Sequence, residues 1–295
     1  MAVPSTKALV SLADAKRYMN IAAAETDNDR LLDALVTQAC VMIQKELGCD
    51  ITEQDYTKEV HSGRGHKMLA LKNYPLQWIN RISVDTNYAL RLRYTGTGSR
   101  ATASVTSNSI RLRSVTSGVW TTDTLVMSDS VTMDLMALTV SAVTDWEGTV
   151  FSTYGAFSSA DLIVRPAWDA RNVYVDLEIP QECEDDYEIY DADQALLYNP
   201  YIWTAGRRNI FVDYRAGYAR AEIPEPIQSA ALELVKFLFD LSQKDASLRS
   251  EKLGDYAYTI ADRVDTIFSS SGKDSVSNMI AMKLAPYQRS YIMGF

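Results

Sequence analysis

One stretch constrains the chain more than any other. From Ile227 to Leu241 the apolar residues Ile227, Ala230, Ala231, Leu234, Val235, Leu238 and Leu241 recur at helical spacing, i, i+3, i+4, i+7. Pro224 and Pro226 stand at the entrance, where a missing N–H costs a helix nothing. An amphipathic helix of that length needs a partner surface, and the first fifty residues offer one. Ser11 with Asp14 three residues on is a capping pattern, and Leu12, Ala15 and Met19 then share a face. A second helix is expected after Thr26 or Asp27, with Leu32, Leu35, Val36, Ala39, Ile43 and Leu47 as its stripe and Gly48 as its stop. Two helices with a short link suggest a hairpin.

The period then changes. Residues 55–61, 67–71, 78–85 and 89–94 are short and rich in β-branched or aromatic side chains, punctuated by Gly63, Gly65, Asn73, Pro75 and Asn87. They read as an antiparallel β-unit, and the strand signal returns in 208–215, closed by Ala216-Gly217-Tyr218. Between 95 and 195 the texture differs. A small, polar, Gly-containing run (TGTGSRATASVTSNS) leads into strands at 109–114 and 124–127. A helix capped by Asp129 or Ser130 follows, with Val131, Leu135, Leu138 and Ala142 on one face, and then strands near 147–152, 160–165 and 172–177. The expected fold is α+β. A helical core, made of the N-terminal helix hairpin and the long C-terminal helix, carries the antiparallel β-unit and an inserted small α+β subdomain. Residues 1–94 and 196–295 form the core, 95–195 the insertion, and 281–295 an extended C-terminal arm.

Charge bears on partners. The net charge is −9, which argues against tight DNA binding, since affinity for nucleic acid comes mainly from clustered Lys and Arg. The strongest bias is acidic: nine carboxylates and no Lys or Arg lie between Asn172 and Asp193. Asp176, Glu178, Glu182, Glu184, Asp185, Asp186 and Glu188 are its centre. The segment reads as a solvated face or as a surface that lets DNA slide past without sticking. No apolar run approaches the roughly 18 residues of a membrane span. The first residues lack the pattern of a secretory leader. Cys40, Cys49 and Cys183 form no CxxC pair, which favours reduced thiols in a chain made in a cytosol.

A search for chemistry returns little. His61 and His66 flank a Gly-rich SGRG turn, a poor mount for a general base, and no nearby residue completes a zinc-site spacing. TGTGSR lacks the Lys-Ser/Thr of a phosphate loop. No catalytic residue, metal or cofactor is expected. The 17 tyrosines favour assembly over catalysis, because Tyr suits surfaces that are half apolar and half wet.

The order of elements and several segments resemble the head–tail connector (adaptor) family of long-tailed phages. The matching residues are SLADAKRYMNI at 11–21, DNDRLLDALVTQACVMIQKELG at 27–48, LKNYPLQWINRISVD at 71–85, RNIFVDYRAGYARAEIP at 208–224 and SEKLGDYAYTI at 250–260. The middle region resembles an insertion of some members, most visibly at DWEGTV, 145–150. The resemblance implies a virion neck protein made in the bacterial host cytoplasm. It would form a homo-oligomeric ring, commonly of twelve subunits, that docks on the portal protein, receives a downstream neck or tail protein and lets DNA pass without specific binding or membrane contact. On that reading Pro286, Tyr287, Arg289, Tyr291, Ile292, Met293 and Phe295 form a portal-docking arm, and the acidic segment faces either the channel or the outside. Alternatives are another neck component, such as a head-completion stopper or tail terminator, and a β-rich glycan- or decoration-binding module using Trp120, Trp146 and Trp168.

Overall fold

The computed structural model describes residues 8–181, 185–243, 250–253, 256–259 and 275–289. It corrects the expected fold class: the described residues are mostly β, with 38% strand against 28% helix, and show no helical core built on an N-terminal hairpin. The first helix, α1 (Leu12–Tyr18), has only seven residues, started by a capping box between Ser11 and Asp14. The second, α2 (Asp29–Leu47), buries the expected stripe and stops at Gly48 in the left-handed conformation. Its main helical partner is not α1 but the distant α4 (Glu225–Ser242). The sequence reading went wrong because strands of three or four residues have no readable period, while helices of 18 and 19 residues do.

The strands fall, among the described residues, into four antiparallel sheets of three or more strands and one hairpin. The central sheet places β13 (Gly206–Ala216) between β1 (Gln54–Gly63) and β3 (Leu76–Val84). A second sheet runs β11 (Glu188–Asp191), β12 (Leu196–Tyr198), β2 (Met68–Ala70). These two sheets, α1, α2, α4 and the late helix α5 (Ser275–Leu284) share one apolar core, in which Ile43, Ile82, Trp203, Val212, Tyr214, Leu234 and Leu284 are buried. The hairpin is β14 (Ser250–Leu253) with β15 (Tyr256–Thr259).

A second core gathers residues from Ala89 to Ile179. One of its sheets sets β4 (Thr86–Tyr94) between β10 (Val175–Pro180) and β8 (Trp146–Val150). The other runs β7 (Val119–Val126), β6 (Ser109–Thr116), β5 (Arg100–Val105), β9 (Arg165–Asp169). The helix α3 (Met133–Ala142) packs chiefly on β8, capped by the Thr132 hydroxyl rather than by Asp129 or Ser130.

The two cores meet at two chain crossings and a charged clamp. The chain passes from β3 to β4 through Asp85, whose N–H donates to the Asn209 carbonyl at 2.6 Å. It returns past Gln181, whose N–H donates to the Asp85 carbonyl at 3.1 Å. A bulge between Tyr56 and Glu59 breaks the β1–β13 register and leaves Lys58 at positive φ. From there its ammonium donates to the Ala160 and Leu162 carbonyls of the second body. Arg81 of β3 pairs with Asp213 on β13 at 2.9 Å and with Asp161 across the junction at 3.0 Å.

Gly217, which ends the central strand, is required where it stands. Its φ is +101°, and a Cβ there would sit 2.6 Å from the Thr52 carbonyl. Gly217→Ala is therefore expected to destabilise the fold by about 1–3 kcal/mol, read from urea unfolding. A loss under about 0.5 kcal/mol would show that the 51–53 segment shifts freely.

Candidate functional site

The described carboxylates of the acidic segment fall at two elements. Asp176 and Glu178 lie on β10, and Asp176 accepts a two-pronged contact from Arg91 at 2.6 and 2.9 Å. Glu178 accepts from the Thr86 hydroxyl at 3.3 Å and faces Arg165 at 4.0 Å. Both carboxylates are thus neutralised within the second body. Asp185, Asp186 and Glu188 are exposed at and before β11, beside exposed Ile189 and Tyr190. Glu182 and Glu184 lie outside the described residues.

The first half of the C-terminal arm rests on its own chain. Lys283 of α5 pairs with Glu233 of α4, and the Gln288 amide donates to Glu46 of α2 at 3.0 Å. Pro286 is exposed and Tyr287 is half-buried against the first core. The Arg289 N–H donates to the Tyr74 hydroxyl at 3.1 Å, and its guanidinium donates to the Gln194 carbonyl at 2.7 Å while lying over the Tyr74 ring. Burial, with the neighbouring Cys49, pushes the Tyr74 phenol up to about 12. Tyr291, Ile292, Met293 and Phe295 lie outside the described residues.

Both histidines line one cavity of about 1070 Å³, together with Arg64, Lys67, Tyr198 and Trp203. Sequence reasoning put them only on a turn; what assembles the cavity is the pairing of β2 with β12, two strands nearly 130 residues apart. His61 meets Glu59 at 2.7 Å, with both side chains 9% exposed. Glu59 also accepts from the Lys72 N–H at 3.1 Å, the Tyr214 hydroxyl at 2.9 Å and the Asn73 amide at 3.4 Å. Burial acts to raise the Glu59 pKa, but the His61 contact and the other donors outweigh it and hold the carboxyl below its ordinary value. Such a pair orients an imidazole. Among the described residues, however, His61 touches no hydroxyl or thiol that it could activate, and no three metal-ligating side chains converge. Cys40 and Cys49 are buried thiols whose pKa values burial raises, which makes them poor nucleophiles.

Two surface features went unread in the sequence. Val131, Leu135, Leu138 and Ala142 share a face as their spacing predicts, but it is exposed, and the structure buries the other one, Met133, Met136, Ala137 and Val140. Leu138 is 67% exposed and Val131 58%. Large apolar side chains stand on both sides of this helix, so their periodicity alone does not choose between the sides; the polar Asp134, Thr139 and Ser141 among Leu135 and Leu138 mark the exposed one. The other feature is the outer face of the β7-β6-β5-β9 sheet. Arg113 sits across from Thr102 and Thr122, Arg111 across from Ser104 and Thr124, and Val115 across from Arg100 and Trp120. Arg100 and Arg113 lie over the Trp120 ring, at 5.8 and 4.7 Å from its centroid. Arg165 covers Trp168 at 3.4 Å, and Trp146 is buried edge-on against Tyr94. Of the three tryptophans Trp146 is buried, while Trp120 and Trp168 each carry an arginine over the ring.

No family model matches the chain, and no curated protein does. Among solved structures, one described as the neck of an empty GTA particle computed with C6 symmetry aligns over 100% of this chain and 96% of its own, at 13% identity and a TM-score of 0.37. A likeness that loose carries no argument for fold or function. No helix of the described residues is long and apolar enough to cross a membrane.

Proposed function

We propose that this chain is a structural, non-catalytic subunit of a tailed-phage neck: a head–tail adaptor that forms a ring, docks on the portal and extends the DNA channel toward the tail. The sequence segments at both ends of the chain support the family. The observation that carries an assembly role is on α3, whose buried side is Met133, Met136, Ala137 and Val140 while Leu135 and Leu138, with Val131 just before the helix, stand exposed on the other. Exposed large apolar side chains grouped in this way mark an interaction surface. The covering surface is a neighbour in the particle. The partners are then further copies of the chain, the portal and a downstream neck or tail protein. Asp176 and Glu178, neutralised by arginines, contribute little to repelling passing DNA.

The test is co-sedimentation and negative-stain imaging of the purified protein with portal rings and, separately, with tail tubes. A ring seated under the portal is expected. Binding to the tail tube alone would make it a terminator or stopper, and binding to neither overturns a neck role. Residues up to Arg289 are anchored on the chain itself, and the part of the arm proposed to reach the portal is 290–295. Its removal should leave a folded chain and abolish co-sedimentation with portal; retained binding would move the contact elsewhere.

A further inference from the structure

We propose that neighbouring copies join head to tail, the outer face of the β7-β6-β5-β9 sheet of one copy receiving the acidic segment around Asp185–Glu188 of the next. The inference rests on the ring reading above and names the contact that closes it.

The receiving face is defined by register. Arg111 and Arg113 alternate along β6 on the side away from the core, while Ile110 and Leu112 point inward and are fully buried. Arg100 and Trp120 continue the same face on the flanking strands. None of these arginines has a carboxylate within ion-pair distance among the described residues; the acid on this face, Asp169, stands two strands away from Arg113, across from Thr102. Elsewhere in the second body Arg91 pairs with Asp176, Arg93 with Glu147 and Arg165 with Glu178. Among the described residues Arg100, Arg111 and Arg113 have no ion-pair partner, and two of them instead share the Trp120 ring. Stacking of that kind holds a guanidinium's plane and leaves its N–H fork free for a carboxylate.

The occupant is on the same chain but on the other body. Asp185 and Glu188 are exposed and have no cationic partner among the described residues, and Tyr190 beside them is 69% exposed. They lead into β11, an edge strand of the first body's small sheet. A basic, Trp-bearing face and an acidic, Tyr-bearing edge complement each other in charge and in aromatic content. Because they are different patches of one subunit, the contact is heterologous: it propagates from copy to copy and gives a ring when the rotation closes. DNA is the rival ligand for the arginines, but three guanidiniums on a chain of net charge −9 make a weak phosphate surface, whereas a neighbour brings Asp185 and Glu188 on an exposed edge.

The test uses two full-length variants, Arg111→Glu/Arg113→Glu and Asp185→Lys/Glu188→Lys, compared with the unaltered protein by sedimentation velocity and imaging at low salt. Each variant alone should associate at least about tenfold more weakly. Mixed together, the two should form rings again, since each reversed patch then meets a reversed partner while the native patches pair as before. Recovery on mixing also shows that both variants are folded. If the unaltered protein forms rings and each variant does so equally well, this contact is wrong and the ring reading stands. If the unaltered protein forms no ring, alone or on portal, both fall. Loss of duplex-DNA binding in the arginine variant with assembly unchanged would make the face a polyanion surface and overturn the proposal.

Discussion

Glu59→Ala is expected to cost about 3–5 kcal/mol of folding stability, as removing one partner of a buried charged network does. Glu59 lies 9% exposed where β1 resumes its register after the bulge, and it gathers donors from three places: His61 on its own strand, Lys72 and Asn73 before β3, and Tyr214 on β13. Alanine leaves the Tyr214 hydroxyl and the Lys72 N–H without their acceptor, and each buried group left unpaired costs about 1–3 kcal/mol. Tyr214 is fully buried and stacks on Tyr56 at 5.0 Å, so the loss falls at the centre of the sheet. Urea unfolding of Glu59→Ala and Glu59→Gln checks this. Glutamine keeps an acceptor oxygen and should recover a good part of the loss; a cost below about 1 kcal/mol for alanine would mean that water replaces the carboxylate.

The same group sets a pH dependence. Its folded pKa lies below the ordinary 4.5, so its contribution is complete above that value and disappears as pH falls through the lowered folded pKa. Stability should therefore drop on acidification below 4.5, and less steeply in Glu59→Gln. Parallel acid-unfolding curves would remove Glu59 from the account.

Leu135→Asp/Leu138→Asp is expected to abolish assembly while leaving the monomer nearly as stable as before. Both side chains lie on the uncovered side of α3, at 45% and 67% exposure, so in the free chain each substitution touches mainly water and should change stability by no more than about 0.5 kcal/mol. In an assembly that covers this side, two carboxylates would be taken out of water without partners, which costs several kcal/mol. Thermal unfolding and sedimentation on one preparation separate the effects. Assembly at unaltered strength would show that this side of α3 stays wet in the particle, and the observation behind the proposed function would go with it.

How far the sequence could be read depends on the range of the interaction. The stripes of α2 and α4 were legible because helical hydrogen bonds are local and each face repeats every turn. The sheets were not, since β1 finds its partner β13 across some 150 residues and nothing local records that pairing. Counting elements by strength of pattern then overweighted the helices, and the mostly-β architecture was missed. The same limit hid the cavity: His61 and His66 were visible, but Trp203 and Tyr198 reach them only through β12. For α3 the difficulty was different. Leu135 and Leu138 repeat at helical spacing as Met133, Met136, Ala137 and Val140 do, and only the packing on β8 distinguishes the buried set from the exposed one. The arginines of β6 alternate in SIRLRS as plainly as any strand, yet their meaning came from finding no acid beside them, a property of three dimensions.

The bulge at Lys58 has a mechanical consequence. Without it β1 would run in register with β13 and its lysine would have no route to the second body. With it, Lys58 and Arg81 anchor the Ser159–Asp161 turn to the two outer strands of the central sheet. The second body is thus held at the turn as well as at Asp85 and Gln181, so that a swivel about the two chain crossings has to break the Lys58 and Arg81 contacts.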